Sequence, residues 1–334
     1  MKRLLFGVVV LLAIGSVTTF ANDDKKVPST LVSAISRAAD NLLARQGTYL
    51  DGDTRGGNMV CAWEWIPGSG YANANTQSTS SRGLLAAYRV TDKASHLKGA
   101  LCAAKELVLR LDAITKRPYS EDVIFLTEIS ETSGNRAYAK KAADYHRRIR
   151  RDFATGASLA DHYIDARKSL AGWDLSSQIQ AALAVDQEDY AQAIVERLIQ
   201  RRGDWEFAPY GGWDYTSLSR SALISALQDF EGKTVKKYRD EIRQATLAAQ
   251  GADGSWGDPD NQGTAFALYG LAAAPKSAAV RTATSAGIRY LLATQSASGA
   301  FIDVYGENTE VSGEVLSALC LYVRGHEDGE RNDR

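Results

Sequence analysis

The chain has 334 residues, 45% of them hydrophobic, with 39 Lys and Arg against 40 Asp and Glu. A formal charge of −1 gives no electrostatic case for a nucleic-acid partner. Three cysteines, Cys61, Cys102 and Cys320, are too few for a disulfide scaffold, and their spacing matches no zinc motif.

The first segment carries Lys2 and Arg3, an apolar run over 4–14, and then Thr19-Phe20-Ala21. A basic start, a short apolar core and a small residue at a cleavage point predict a secretory signal peptide over 1–21, with export to the periplasm or beyond. The apolar core is too short for a comfortable membrane span and nothing later approaches one, so no stable span is expected after cleavage. Losing Lys2 and Arg3 takes the balance to 37 − 40 = −3.

From about residue 31 helical periodicity runs almost throughout and strand signals are scarce. Two kinds of helix alternate. Amphipathic, charged helices are predicted over 31–46, 94–111, 136–153, 188–202, 235–250 and 278–294. Between them lie helices that are small and apolar nearly all round, over 76–90, 120–133, 175–185, 216–230, 263–273 and 310–323. A helix apolar on every side must be buried on every side, so the second set predicts an inner layer wrapped by the first. Cys102 and Cys320 sit in helical runs and read as buried thiols, with one disulfide left open by an oxidising compartment. The basic stretch from His146 to Arg151 reads as a solvated helix face.

One pattern then repeats after 295 − 250 = 45 positions: Gln250-x3-Gly254-x-Trp256 returns as Gln295-x3-Gly299-x-Phe301. A fixed period of this size marks one supersecondary unit used repeatedly. Leu42-Leu43-Ala44-Arg45-Gln46 echoes Leu291-Leu292-Ala293-Thr294-Gln295, and neither end resembles the polar cap of an open solenoid. The expected fold is therefore an all-α (α/α)6 toroid over 22–324, with a disordered polar tail over 325–334. The Gln-x3-Gly-x-Trp pattern resembles the QW repeats of squalene and hopene cyclases, within the terpenoid cyclase and protein prenyltransferase superfamily. The strong match covers about 235–323, and there the resemblance implies that Gln250, Trp256, Gln295 and Phe301 tie neighbouring hairpins together. The cyclase Asp-x-Asp-Asp acid is matched only in part by Asp51-Gly52-Asp53-Thr54, and the prenyltransferase zinc ligands are missing from the region of Asp258-Pro259-Asp260. No metal or cofactor is predicted.

In such a ring the loops leading into the inner helices build the mouth. The longest, 47–75, carries Trp63, Glu64, Trp65 and Tyr71. Others supply Glu121 and Asp122, Trp173 and Asp174, Trp213, Asp214 and Tyr215, and Glu310 at an inner-helix start. Aromatics stack on sugar faces while carboxylates and amides bind hydroxyls, so a poly- or oligosaccharide is the expected substrate. For a hydrolase, the acid and base come from Asp174, Asp214, Glu121, Asp122 or Glu310. For a lyase, His162 or Tyr163 abstracts the proton and Arg82 neutralises a uronate. Asp174 and Asp214 also suit helix N-caps. His96 and His146 fall on outer helices and are expected at the surface. Two rivals remain: a non-catalytic toroid holding a glycan, peptide or lipid, and a diverged terpenoid cyclase-like enzyme.

Overall fold

The computed structural model describes residues 27–52, 57–113, 119–257, 260–274, 277–303 and 306–332. The expected leader over 1–21, Asp53-Thr54 and Asp258-Pro259 lie outside them. The chain begins with α1 (Ser29–Ala44), followed by a small sheet of β1 (Gly47–Asp51), β2 (Asn58–Ala62) and β3 (Tyr71–Ala72). There follow α2 (Ala74–Thr91), α3 (Ala94–Ala113), α4 (Ser120–Ser133), α5 (Arg136–Asp152), α6 (Gly156–Arg167) and α7 (Ala171–Leu183). The second half holds α8 (Glu188–Gln200), the single turn α9 (Arg202–Trp205), α10 (Thr216–Ala226), α11 (Lys233–Ala248), α12 (Asn261–Ala272) and α13 (Ala278–Thr294). It ends with a ribbon, β4 (Ile302–Asp303) and β5 (Gly306–Glu307), and α14 (Thr309–Asn332).

Helices α2, α4, α7, α10, α12 and α14 form a closed inner ring, each packed on the next, with α14 returning to α2. The predicted all-α toroid of six inner and six outer helices is what the chain adopts. The pattern explains the layers. On α5, Ala142, Tyr145, His146 and Ile149 are buried at helical spacing beneath a charged face. On α12, eight of twelve residues are buried and the other four are half-buried, Phe266 and Tyr269 among them facing the ring axis.

The repeat residues do what the resemblance implies. Gln250 donates from Nε2 to Gly254 O and Ala283 O, both at 2.9 Å, joining its turn to α13. Gln295 donates to Gly299 O at 3.2 Å and to Ala34 O on α1 at 2.9 Å, closing the last hairpin onto the first. Trp256, buried, donates from Nε1 to Thr246 O at 2.7 Å.

A third copy is present that the spacing hides. Gln46 donates to Cys61 O (3.2 Å) and to Gly99 O on α3 (2.9 Å), and buried Trp63 donates to Leu42 O (2.7 Å). Its Gln and Trp are 17 positions apart rather than 6, because β1 and β2 intervene. The glycine's place is taken by Cys61. Gly254 and Gly299 have φ of +92° and +95°, and Cys61 shares this left-handed region at +51°. Each glycine packs on the residue three beyond the acceptor carbonyl, Ala286 or Arg37. Cys61 instead forms a disulfide with Cys102, which is likewise three beyond Gly99.

The closing seam needs glycine. A Cβ on Gly83 of α2 would meet Gly313 O at 2.9 Å, and one on Gly313 of α14 would meet Thr79 O at 2.8 Å.

Several expectations are corrected. The segment holding His162 is helix α6, not loop: Thr155 accepts from Ser158 N and starts it with a capping box. It lies over α7 and α8 and lengthens the third pair. His96 is buried, facing Asp40 through Nε2 at 2.9 Å and Thr91 at 3.2 Å. His146 is buried too, edge-on to Tyr190, and burial pulls its pKa down to about 4. Outer helices bury one face, and both histidines lie on it. Cys102 is disulfide-bonded and only Cys320 is a buried free thiol. Helix α14 continues to Asn332, through most of the stretch expected as an irregular tail. In the basic segment Arg148 donates to Leu111 O and Arg150 stacks on Tyr190, while Arg147 and Arg151 face solvent.

Candidate active site

A cleft of about 730 Å³ opens at the N-terminal ends of the inner helices and descends along the ring axis. All six inner helices line it. Glu310, Glu314 and Ser317 follow one another down α14, seven residues at 1.5 Å each, so the cleft reaches about 10 Å below its rim. Six residues singled out from sequence meet here: Arg82, Glu121, Tyr163, Trp173, Asp174 and Glu310.

Glu310 sits in the first turn of α14, where Asn308 caps the helix by accepting from Val311 N at 3.2 Å. Its Oε2 accepts from Trp65 Nε1 and from Asn75 Nδ2, each at 2.9 Å. The 47–75 loop is itself latched to this helix end, since Thr309 N donates to Trp65 O at 3.0 Å. Burial and then the charge of Glu121 push the Glu310 pKa up to about 7, against the pull of the two donors. One turn deeper, Glu314 accepts from Gln262 Nε2 at 3.0 Å. Burial and the neighbouring Glu310 hold its pKa well above the carboxylate range.

Asp174 stands across the cleft in the first turn of α7. It accepts from Arg167 Nε at 2.8 Å, and Arg167 is fixed by stacking on Tyr210 and donating to its hydroxyl at 2.7 Å. Burial raises the Asp174 pKa to about 6, with Arg167 opposing. Two carboxyls poised near neutrality in one cleft are the equipment of general acid–base chemistry. Trp173 meets Phe266 edge-on at 6.0 Å, and Tyr269 and Tyr163 complete an aromatic wall.

The other candidates lie elsewhere. Asp122 is buried outside the cleft, accepting from Ser78 Oγ at 2.6 Å and Tyr119 N at 3.0 Å in a capping box. Its pKa of about 7 reflects that burial. Asp214 is exposed and accepts from Thr216 N and Oγ1, so it serves the start of α10. His162 is exposed on α6 against Phe153, although Tyr163 beside it turns inward and accepts from Gln178 Nε2 at 3.2 Å. Trp63 is a core residue, and Glu64 holds its own loop through Gly68 N and Gly70 N. Tyr71 and Trp213 are exposed, and Tyr215 packs near Tyr210. Arg82 is in the cleft, but Glu128 takes its guanidinium at 2.8–3.2 Å.

Sequence reasoning missed Arg167, Glu314 and Gln178. Glu314 had a signal: an acidic residue four after Glu310, inside an otherwise apolar helix. Among the described residues no group of three or more His, Cys, Asp and Glu could hold a metal ion. No described helix is long and apolar enough to cross a membrane.

No family model and no curated protein matches the chain. Solved structures do share its fold. A protein from Klebsiella pneumoniae described as a possible member of the GH105 family superposes with a TM-score of 0.59 at 15% identity, covering 90% of this chain and 94% of that one. The type II terpene cyclase MstE from Scytonema, as an R337A variant with its substrate, gives 0.63 at 11% identity over 89% and 98%. An unsaturated glucuronyl hydrolase specific for heparin gives 0.61 at 11% over 89% and 97%. At these identities the likeness is one of fold, and the α/α toroid is what they have in common.

Proposed function

We propose that this chain is an exported carbohydrate-active hydrolase, cleaving glycosidic bonds in the axial cleft. The observation that carries the reading is the meeting of Asp174 and Glu310, both with raised pKa values, beside the aromatic wall of Trp173 and Phe266. Glu310, near half-protonated at pH 7, donates to the leaving oxygen. Asp174, ionised above about pH 6, acts as base or nucleophile with Arg167 fixing its orientation. Two of the structural neighbours are named for glycoside-hydrolase families or activities, which supports the substrate class.

The lyase reading is weaker, because the arginine expected to neutralise a uronate is already paired with Glu128. The terpenoid reading draws support from the cyclase neighbour, yet a hydrocarbon substrate needs a dry pocket and this one is lined by Ser, Gln, Asn and carboxylates. Export rests on the 1–21 leader pattern and fits the Cys61–Cys102 disulfide, a bond of oxidising compartments. Mass analysis of protein recovered outside the cytoplasm should find an N-terminus at Asn22, and a chain retaining Met1 there would refute cleavage.

The test is release of reducing ends from a panel of polysaccharides, followed across pH. Activity should rise as Asp174 deprotonates through about pH 6 and fall as Glu310 deprotonates through about pH 7, giving a narrow bell. A rate still climbing above pH 9 (~, two units past the upper limb) would exclude Glu310 as the acid. Silence across the panel with retention of one glycan would leave a binding protein.

A further inference from the structure

A second depression lies beside the axial cleft, on the small sheet of the 47–75 loop. This groove holds about 700 Å³, and its lining includes Leu50, Trp65, Ile66, Ser69, Tyr71 and Asn73. The four large apolar side chains among them are each between 41% and 52% exposed, whereas exposed apolar residues are ordinarily scattered singly. The arrangement is braced. Strands β1 and β3 pair in parallel with Leu50 opposite Tyr71, so these two stand side by side on one face. Glu64 ties down the turn before Tyr71 by accepting from Gly68 N at 2.8 Å and from Gly70 N. The one ionisable carboxyl of the described lining, Asp51, is buried and held by Arg110 Nε at 2.9 Å.

Two contacts make the groove continuous with the cleft. Asn73 lines both depressions. Trp65 lines the groove, while its Nε1 donates to Glu310 Oε2 in the cleft at 2.9 Å. The groove therefore meets the cleft on the Glu310 side, and Asp174 stands on the other. An acid that protonates a leaving oxygen must stand on the leaving-group side of the bond it helps to break. What departs from Glu310 thus lies towards the groove.

We propose that this groove is a second saccharide site, holding uncharged pyranose units on the leaving-group side of the bond cleaved in the axial cleft. The inference rests on the hydrolase reading and extends it to the length and charge of the substrate. The C–H face of a pyranose packs on the ring of Tyr71 and on Leu50 and Ile66, while Ser69 and Asn73 supply polar groups for its hydroxyls. A uronate would bring a second carboxylate towards Asp51, whose counter-charge Arg110 is already engaged. Units in the groove lie against Trp65, whose N–H positions the acid, so chain length is sensed where the proton is delivered. The feature belongs to this repeat: β1 and β2 separate Gln46 from Trp63, whereas Gln250 and Trp256 stand 6 positions apart.

The experiment is calorimetric titration with cellohexaose, xylohexaose, mannohexaose and maltohexaose, the corresponding disaccharides and a galacturonate hexamer. The protein is compared with Tyr71→Ala and Ile66→Ser variants shown by circular dichroism to be folded. At least one neutral hexamer should bind about tenfold more tightly than its disaccharide, and each substitution should remove about fivefold to tenfold of that gain. The galacturonate hexamer should gain nothing from its length. Absence of any length preference, or one that both variants keep, overturns the inference, and cleavage of a hexamer in that case leaves the hydrolase reading standing. A length preference lost in the variants, without cleavage, keeps the groove as a glycan site and sinks the hydrolase. Where a hexamer is cleaved, KM should rise in the variants with kcat little changed, and a label at its reducing end should leave on a fragment of two or more units. Release of that label as a monosaccharide overturns the leaving-group assignment. Concentration-dependent dimerisation abolished by both variants, with no length preference, would give the patch to a second copy of the chain and overturn the proposal.

Discussion

Asp174→Asn and Glu310→Gln should each lower turnover about a thousandfold, since each removes a proton-transfer group, and the two should respond differently to leaving group. With a nitrophenyl glycoside, whose phenolate departs without protonation, Glu310→Gln should recover most of its first step, whereas Asp174→Asn should stay inactive. Near-native thermal midpoints would show that the losses are chemical. Equal rates in the variants and the parent protein would remove these two residues from the mechanism. Full rescue of Asp174→Asn by the better leaving group would instead exchange the two roles. Trp65 matters here without touching the reacting atoms: its Nε1 and Asn75 Nδ2 hold Glu310 against its own repulsion from Glu121.

Reduction of Cys61–Cys102 should be the most damaging change outside the cleft. The bond spans 41 positions, for which the chain-entropy account gives about 4 kcal/mol, or a fall in midpoint of about 6 °C for a chain of this size. The residue at position 61 should matter too, though less than the bond. Cys61 occupies a backbone conformation that glycine fills in both sister repeats. A Cys61→Gly, Cys102→Ala protein should therefore be more stable than a Cys61→Ser, Cys102→Ala one, by about 1 kcal/mol. Denaturant titration decides both points. Coincident curves with and without reductant would show that the Gln46 clasp alone holds the first repeat.

The ring was legible because its signals are periodic. Helix type alternates between Arg-rich and Ala-rich along the whole chain, and Gln250 and Gln295 stand at the same place in adjacent units. The third copy was hidden by a sheet inserted between Gln46 and Trp63, so that neither residue declares the other. Helix α6 escaped notice because its cap is Thr155 with Ser158 rather than the commoner Glu or Gln, and its burial follows no strong stripe. The site was half legible. Residues opening inner helices, Glu121, Asp174 and Glu310, were placed by their position in the pattern. Side-chain direction was not readable: in adjacent positions Glu121 faces the cleft and Asp122 the core, and Tyr163 faces in while His162 faces out. Those choices depend on how α4 and α6 rotate against neighbours far away in sequence. The histidines failed for the same reason, since the buried stripe of an outer helix admits a polar ring wherever a partner such as Asp40 can reach it.

The glycine contact between α2 and α14 sets an order of events during synthesis. Gly83 and Gly313 are 313 − 83 = 230 residues apart, which at translation rates of roughly 5–20 residues per second separates their emergence by about 10–50 s. Through that interval α1 and α2 have been made while the surface that covers them has not. Local hairpins can form at once, but the closing contact must wait for α14, so a nascent chain carries α2 with an uncovered flank until that helix emerges. A ring of this kind is most exposed to association with other chains just before it is finished.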